Sequence, residues 1–376
     1  MQAAEMIEFQ WPYVQALIGS VEEIEATAAE TGALTRRRGV ADAATLLKLA
    51  LMYGFCGFSL RQTAAVAAAN GLADISDVAL LNRFRKCGPW LGELLGRVLQ
   101  RHAVAALPDR EYRLRLIDAT GVNSPGTKST DWRVHLVFDL RRKCIENIEI
   151  TDVSGGETLR RFQYQTNDIV IADRGYAHRT GFDVVERAGA FFLVRINWSN
   201  TPLEDPNGKP FDILQMLRSI PDAAATEFDV RYRAGDRSSS ARFVAIRKSE
   251  AAAQRARQKV LRERRKKGTI DPRTLEAAGY TFVLTNMPSD LISADDLMEL
   301  YRFRWQIELA FKRLKSVIRL DVLPAKDPSL ARMYLCARLL GAIVIDDLTA
   351  RYLSFSPWGY SIGRPSFVMA CAEDSA

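Results

Sequence analysis

Histidine and cysteine are scarce in this chain of 376 residues, and neither is arranged as a set of metal ligands. Only three histidines are present, too few for the histidine-rich sites that metallohydrolases usually build. No cysteine forms a C-x-x-C pair or lies near a histidine at ligand spacing, so neither a zinc site nor a disulfide framework is indicated. We expect reduced thiols, as in a cytosolic protein. The five cysteines are Cys56, Cys87, Cys144, Cys336 and Cys371.

Long apolar runs are also missing. The longest, Leu339 to Ile345, is far shorter than the roughly 20 residues that a membrane-spanning helix needs. The N-terminus shows no basic segment followed by an apolar run, so no signal peptide is predicted. There is no internal repeat and no long low-complexity linker. These features predict a soluble protein of the cytoplasm.

The overall charge is moderately positive. The chain carries 52 Lys and Arg against 45 Asp and Glu, a net charge of +7 with a pI near 9.2. This bias weakly favours an anionic partner such as nucleic acid. The length is sufficient for about two or three domains with substantial cores.

Residues 1–106 are predicted to form a helical N-terminal region. Ser59 is a good N-cap, Gly71 is expected to end the helix that follows, and Ser76 marks a second start. A helix, a short turn and a second helix with basic residues resemble a DNA-binding helix-turn-helix. A plain helical bundle with a basic surface is the alternative. The candidate DNA contacts on the second helix are Arg83, Arg85 and Lys86.

Residues 107–198 change to the alternating pattern of β-strands. Three strand-like runs in succession predict an antiparallel meander. The first run ends at Asp118, and a later buried strand ends at Asp173. The predicted elements are strands over 112–118, 132–140, 145–153, 168–173 and 191–196, with helices over 157–163 and 180–189.

Residues 199–287 are predicted to form an inserted, β-rich subdomain. Strand-like runs cover 228–233, 241–247 and 280–286. Between Arg247 and Lys267 the chain has ten Arg or Lys and two Glu. A helix this basic is either a solvated surface or a contact for a DNA backbone, and we favour the second interpretation.

Residues 288–350 are predicted to be helical, followed by a C-terminal tail at 351–376. A helix is expected to begin near Ser293. At about 100° per residue, four polar side chains share a face roughly 60° wide, next to an apolar stripe that can pack on a core. The polar set is Tyr301, Arg304, Glu308 and Lys315, and the apolar set is Phe303, Ile307, Phe311 and Leu314.

Three carboxylates stand out in this arrangement. Asp118 and Asp173 each end an apolar strand, and Glu308 lies on the later helix. Carboxylate oxygens are the ligand type that Mg²⁺ and Mn²⁺ prefer. Two such ions, about 4 Å apart, are suited to phosphoryl transfer. Three unrelated acids are the alternative.

The spacing Tyr301-x2-Arg304-x3-Glu308-x6-Lys315 resembles the Y-R-E-K signature of a bacterial family of insertion-sequence transposases of the DDE type. Asp173-Arg-Gly-Tyr176 looks like the Asp-x-Gly-aromatic motif of that family. Asp118, in Leu-Ile-Asp-Ala-Thr, is similar to its first catalytic aspartate. The likeness extends over most of the chain.

The resemblance implies an α/β fold: a ribonuclease H-like core with a mixed sheet, the helical N-terminal region and the inserted subdomain. It implies that Asp118, Asp173 and Glu308 bind Mg²⁺ (or Mn²⁺), with two ions in the site. Arg304 and Lys315 would hold phosphates. For Tyr301, contact with a phosphate and a place in the core are both open. Trp305 would either stack on a base or pack in the core.

The resemblance also implies the partners. These are double-stranded DNA, namely the terminal inverted repeats of the element and the target, and a second copy of the chain in a synaptic complex. The place of action would be the bacterial cytoplasm, at the nucleoid. Two other functions remain open: a DNA-binding regulator derived from a transposase, without catalysis, and a metal-dependent nuclease that cuts without joining.

Overall fold

The computed structural model describes residues 11–104, 112–126, 131–140, 144–221, 224–264, 270–324 and 326–354. Most of the predicted C-terminal tail lies outside these residues. The described helices are α1 (Trp11–Ile18), α2 (Val21–Glu30), α3 (Ala43–Gly54), α4 (Leu60–Ala69), α5 (Asp77–Val104), α6 (Arg179–Arg187), α7 (Ile213–Ser219), α8 (Glu250–Arg264), α9 (Pro272–Ala277), α10 (Ala294–Arg302), α11 (Trp305–Ile318) and α12 (Pro328–Ser354).

One mixed sheet of eight strands organises the described chain, in the order β3-β2-β1-β4-β5-β8-β7-β6. The meander β1-β2-β3 is antiparallel, whereas β1, β4 and β5 run parallel to one another. The fold is therefore a mixed α/β fold, as predicted. The strands are β1 (Arg113–Val122), β2 (Trp132–Asp139), β3 (Cys144–Asp152), β4 (Asp168–Ala172), β5 (Phe191–Arg195), β6 (Thr226–Ala234), β7 (Arg237–Arg247) and β8 (Tyr280–Thr285).

The segment predicted as an inserted subdomain extends this same sheet. Strand β8 pairs antiparallel with β5 of the core, and β7 and β6 follow it outward. The basic helix α8 and the short helix α9 connect β7 to β8. The hairpin β6-β7 is thus joined to the core by backbone hydrogen bonds.

Predicted helix starts in the N-terminal region are confirmed. The Ser59 hydroxyl accepts from the backbone N–H of Gln62, and the Gln62 side chain accepts from the N–H of Ser59, which completes a capping box at the start of α4. Helix α4 ends at Ala69, and Gly71 follows with a left-handed φ of 63°. Helix α5 begins directly after Ser76, whose hydroxyl accepts from the N–H of Ala79.

Helix α12 is buried beneath α3 and α5 and connects the helical region to the end of the core. It passes very close to α3: a Cβ added at Gly341 would lie 2.2 Å from a ring carbon of Phe55. The window Pro328–Ile345 is long and apolar enough to cross a membrane, but 72% of it is buried inside the protein, as in a core helix. The continuous apolar run Leu339 to Ile345 lies within this helix.

At the N-terminal ends of β1 and β4, two arginines and two acids form a buried ion network. Arg115 is almost fully buried and donates to Asp168 at 3.0 Å and to Glu146 at 2.9 Å. Arg113 donates to Asp168 through two nitrogens. Because each charge is paired, the network fixes the relative position of the two strands.

Candidate active site

Asp118 and Asp173 lie side by side in the sheet. The last residue pair in the parallel register of β1 and β4 is Ile117 with Ala172, and each aspartate follows directly. Asp118 does not end its strand, which corrects the prediction. Strand β1 continues to Val122 because β2 remains paired with it over that length. The two aspartates therefore mark the point where β1 and β4 separate.

The carboxyl group of Asp118 is in an environment that disfavours its charge. The pKa of Asp118 is raised to about 6, mainly by burial, and the nearby carboxylates of Asp173 and Glu157 contribute in the same direction. Two groups act in the opposite direction: the backbone N–H of Ala119, which donates to Oδ1 at 2.8 Å, and the guanidinium of Arg304. Burial is thus the main reason that the charged form of Asp118 is disfavoured.

One carboxylate oxygen of Asp173 lacks a partner. Its Oδ1 atom is buried and has no hydrogen-bond partner in the described part of the protein. A buried carboxylate oxygen without a donor is costly, and a divalent cation is one ligand that satisfies it. The pair Asp118 and Asp173 therefore fits a hard cation, as the sequence predicts.

Glu308 does not join this pair. Its side chain is 56% exposed, and its Oε1 accepts from Nη2 of Arg304 at 2.7 Å. Within the described ranges, no three His, Cys, Asp or Glu side chains are grouped so that they hold a metal ion together. The structure thus brings together two of the three predicted carboxylates, with Arg304 next to both Asp173 and Glu308.

Arg304 is held in a strongly negative environment. Burial lowers its pKa, but Tyr301, Asp173 and Glu308 outweigh this effect, so the pKa of Arg304 is raised above its usual value. Its side chain is 16% exposed. A guanidinium in this position remains charged and is able to meet an incoming anion.

The single helix predicted over 293–318 is interrupted, which corrects that prediction. Helix α10 ends at Arg302 and α11 begins at Trp305, and the N–H of Arg304 bonds to Tyr301, only three residues back. Such tight turns advance by about 120° per residue instead of 100°. Phe303, expected in the buried stripe, is consequently 43% exposed. The other three members, Ile307, Phe311 and Leu314, are buried as predicted.

Tyr301 lies in the core, one of its two predicted alternatives, and its contact with a phosphate stays a prediction. The residue is only 8% exposed, yet its hydroxyl has no hydrogen-bond partner among the described residues. Burial and the neighbouring Asp173 raise its pKa. Lys315 is half-buried on α11. The side chain of Trp305 lies outside the described residues, so its predicted role stays a prediction.

Two of the predicted DNA contacts in the N-terminal region are occupied within the protein. Arg83 donates to the carbonyl of Arg36 at 2.8 Å and to that of Arg38. Arg85 forms an ion pair with Asp327 at 2.8 Å. Helix α5 packs against both partners, a relationship that its own sequence does not reveal. Lys86 is exposed.

An exposed basic loop was missed in the sequence. Arg36, Arg37 and Arg38 are exposed on the loop that Arg83 holds. Arg37 pairs with Glu25 at 3.0 Å. The only available signal was the run of three arginines, and such runs are more often a solvated surface.

Glu157 is a further residue that the sequence interpretation missed. It lines a cavity of about 390 Å³ beside Asp173, together with Gly175, His178, Asn197 and Asn200. Its carboxylate acts on Asp118 and on Tyr176. The available signal in the sequence was the glycine of the motif Asp173-Arg-Gly-Tyr176, because a residue without a Cβ leaves room for another side chain to approach the backbone.

His135 lies in a buried polar network on β2, where it pairs with Ala119, the residue after Asp118. Its Nε2 is 3.1 Å from the hydroxyl oxygen of Thr151, and its Nδ1 is 3.5 Å from the hydroxyl oxygen of Tyr176. Burial, followed by the charges of Arg161 and Arg133, lowers the pKa of His135 to about 4. The imidazole is therefore neutral at physiological pH.

Comparison with known proteins agrees with this geometry. The profile of the transposase DDE domain matches residues 109–344. The chain is 39% identical to InsL for insertion sequence element IS186A of Escherichia coli, over 92% of this chain and 96% of that protein. It is also 39% identical to the transposase for insertion sequence element IS421 of Escherichia coli, with the same shares covered. The transposase for IS1151 of Clostridium perfringens is 23% identical over 60% of this chain and 51% of its own length.

Proposed function

The chain belongs to the family of DDE transposases, and we propose that it moves an insertion sequence by cutting and joining DNA at the ends of the element. Its activity is that of a DNA-cleaving and strand-transferring enzyme. The observation that supports this most directly is the adjacency of Asp118 and Asp173 where β1 and β4 separate. No other pair of acids on these strands combines burial, a raised pKa and an unpartnered oxygen.

We propose that Asp118 and Asp173 hold the catalytic Mg²⁺ or Mn²⁺, two ions in the complete site, and that Glu308 is the third carboxylate. The bound cation stabilises the negative charge that develops at the phosphorus centre during phosphoryl transfer. Glu308 reaches the aspartates only after it leaves Arg304, since the two side chains are now paired. A DNA phosphate is the natural replacement, because it offers Arg304 two oxygens at once.

The remaining polar residues of α10 and α11 are proposed to contact the same DNA. Lys315 supplies a point charge for a phosphate. The buried hydroxyl of Tyr301 has an unused donor next to Asp173 and Arg304. These residues orient the scissile phosphate, and they contribute no covalent chemistry of their own.

We propose that DNA binding extends over two further surfaces. One is the basic helix α8, and the other is the helical N-terminal region, where Lys86 is exposed. Contacts of this kind weaken as salt rises, because each one releases counterions from the DNA. The working form would be a dimer that joins two element ends in the bacterial cytoplasm.

One DNA assay tests the proposed function against its two alternatives. Full-length protein is incubated with labelled duplexes taken from the DNA that flanks its coding sequence and with a target plasmid, in Mg²⁺ or EDTA. Metal-dependent cleavage followed by joining to the plasmid supports the transposase. Cleavage without joining favours a nuclease, and binding without cleavage favours a regulator; either result contradicts the proposal.

A further inference from the structure

Glu157 lies at the edge of the active site without an assigned role. It is half-buried, on the loop between β3 and the short 3₁₀ helix Leu159–Arg161. It lines the same cavity as Asp173. In the part of the chain that the structure describes, its carboxylate has no ion-pair partner and no hydrogen-bond donor. A half-buried carboxylate in this state is able to accept a ligand.

Gly175 makes room for this carboxylate. A Cβ at Gly175 would lie 1.7 Å from Oε2 of Glu157 and 3.0 Å from its Cδ. The glycine of the motif Asp173-Arg-Gly-Tyr176 thus permits Glu157 to lie against the turn that carries Asp173. Any larger residue would displace the carboxylate from this position.

The electrostatic surroundings of the site also favour a bound cation. Glu157 adds to the negative potential that Asp118 and Tyr176 experience. The hydroxyl of Tyr301, near Asp173, is buried and also has no partner within the described ranges. Glu308, the expected third carboxylate, is occupied by Arg304. In the protein without DNA, Glu157 is therefore the acid available to support a cation between the two aspartates.

We propose that Glu157 is an outer carboxylate of the cation site of Asp118 and Asp173, and that it strengthens cation binding before DNA arrives. This inference rests on the proposed function of that site. The three acids do not surround one common ion position. Mg²⁺ usually keeps several water ligands and takes few carboxylates directly, so Glu157 acts by accepting a hydrogen bond from such a water.

Mn²⁺ binding to the full-length protein without DNA tests this proposal. The Kd is measured by electron paramagnetic resonance for the wild type and for Glu157→Gln and Glu299→Gln. Glu299 is a matched control, because it lies on α10 in an exposed pair with Arg302. We expect Glu157→Gln to weaken binding about tenfold, as outer-shell changes at metal sites do. Glu299→Gln should stay within about twofold of the wild type.

Two glycine variants, Gly175→Ala and Gly156→Ala, provide an independent test of the proposal. Gly175→Ala should weaken Mn²⁺ binding as Glu157→Gln does, because the new methyl group displaces a flexible carboxylate and leaves the backbone in place. Gly156→Ala is the control, since its added methyl group meets open space. If Gly175→Ala does not fold, Glu157→Gln alone decides.

Three results would overturn the proposal: an unchanged Kd in Glu157→Gln, a loss in Glu299→Gln as large as that in Glu157→Gln, or no Mn²⁺ binding by the wild type. These outcomes are separate from failure of the proposed function. That failure would appear as an inactive wild type in the DNA assay, which is measured independently of Mn²⁺ affinity.

Discussion

Asp118 and Asp173 directly follow the last residues that β1 and β4 pair in register, and the charge of Asp173 raises the pKa of the Asp118 carboxyl group. The same neighbourhood contains Glu157 and, on the other side, Arg304. Burying like charges together is unfavourable for folding unless a cation joins them. These buried charges therefore lower the stability of the metal-free protein, and the same charges attract a divalent ion.

The first prediction concerns the cost in stability of the buried Asp118 charge. Asp118→Asn should stabilise the metal-free protein at pH 8 by about 1–3 kcal/mol, since it removes a charge whose burial raises the pKa of Asp118 to about 6. Urea unfolding in EDTA measures the free energy of unfolding. Added Mg²⁺ should reduce the difference, because only the wild type gains from the ion. A variant less stable than the wild type in EDTA would contradict this account.

The second prediction concerns acid. Because the pKa of His135 is lowered to about 4 in the folded state and is about 6.5 in the unfolded state, the unfolded chain binds more protons between these values. The stability that neutral His135 contributes is therefore present above pH 6.5 and is lost as pH falls toward 4. The expected loss is about 3 kcal/mol. Unfolding curves at pH 7, 5 and 4 should show a smaller loss in His135→Gln; equal losses would refute the prediction.

The third prediction concerns the contact between α12 and α3. Gly341→Ala should destabilise the protein by about 1–3 kcal/mol, because the new methyl group would overlap the ring of Phe55. Gly96→Ala on α5 is the control. Its methyl group meets nothing within 4 Å, so it should stabilise the helix by about 0.5–1 kcal/mol. Thermal unfolding compares the two, and similar melting temperatures would show that α12 lies farther from Phe55.

The fourth prediction separates two basic residues of α5. Lys86→Ala should weaken DNA binding uniformly across sequences and should lower the salt slope by about one. Arg83→Ala should mainly lower the melting temperature, because its guanidinium holds the carbonyls of Arg36 and Arg38. Fluorescence anisotropy across a salt series measures the slope. A larger change of slope in Arg83→Ala than in Lys86→Ala would reverse the assignment.

Much of the architecture was readable from the sequence, because local patterns determine it. The alternation in 112–118 and the apolar run of 168–173 predicted strands, and the capping residues Ser59 and Ser293 predicted helix starts. The spacing from Tyr301 to Lys315 predicted the polar face and, by resemblance, the family. In each case the signal and the structure involve neighbours along the chain.

The rest depends on contacts between distant segments. Strand β1 extends past Asp118 because β2 pairs with it, and Arg85 is occupied because Asp327 lies beside it. The helix is interrupted at Phe303 and Arg304, and neither residue is a glycine or a proline, the residue types that would have predicted an interruption there. Glu157 belongs to the site only because the turn containing Gly175 brings it there. Periodicity along one element does not contain this information.

The most direct test of the central claim is cleavage of labelled end DNA in Mg²⁺ by three variants that change charge with little change in shape. These are Asp118→Asn, Asp173→Asn and Glu308→Gln, with Glu299→Gln as the control. We predict that each of the three loses cleavage at least a hundredfold, about 2.7 kcal/mol of transition-state stabilisation, and that the control cuts like the wild type. Near-normal cleavage by Asp173→Asn or by Glu308→Gln would contradict the account.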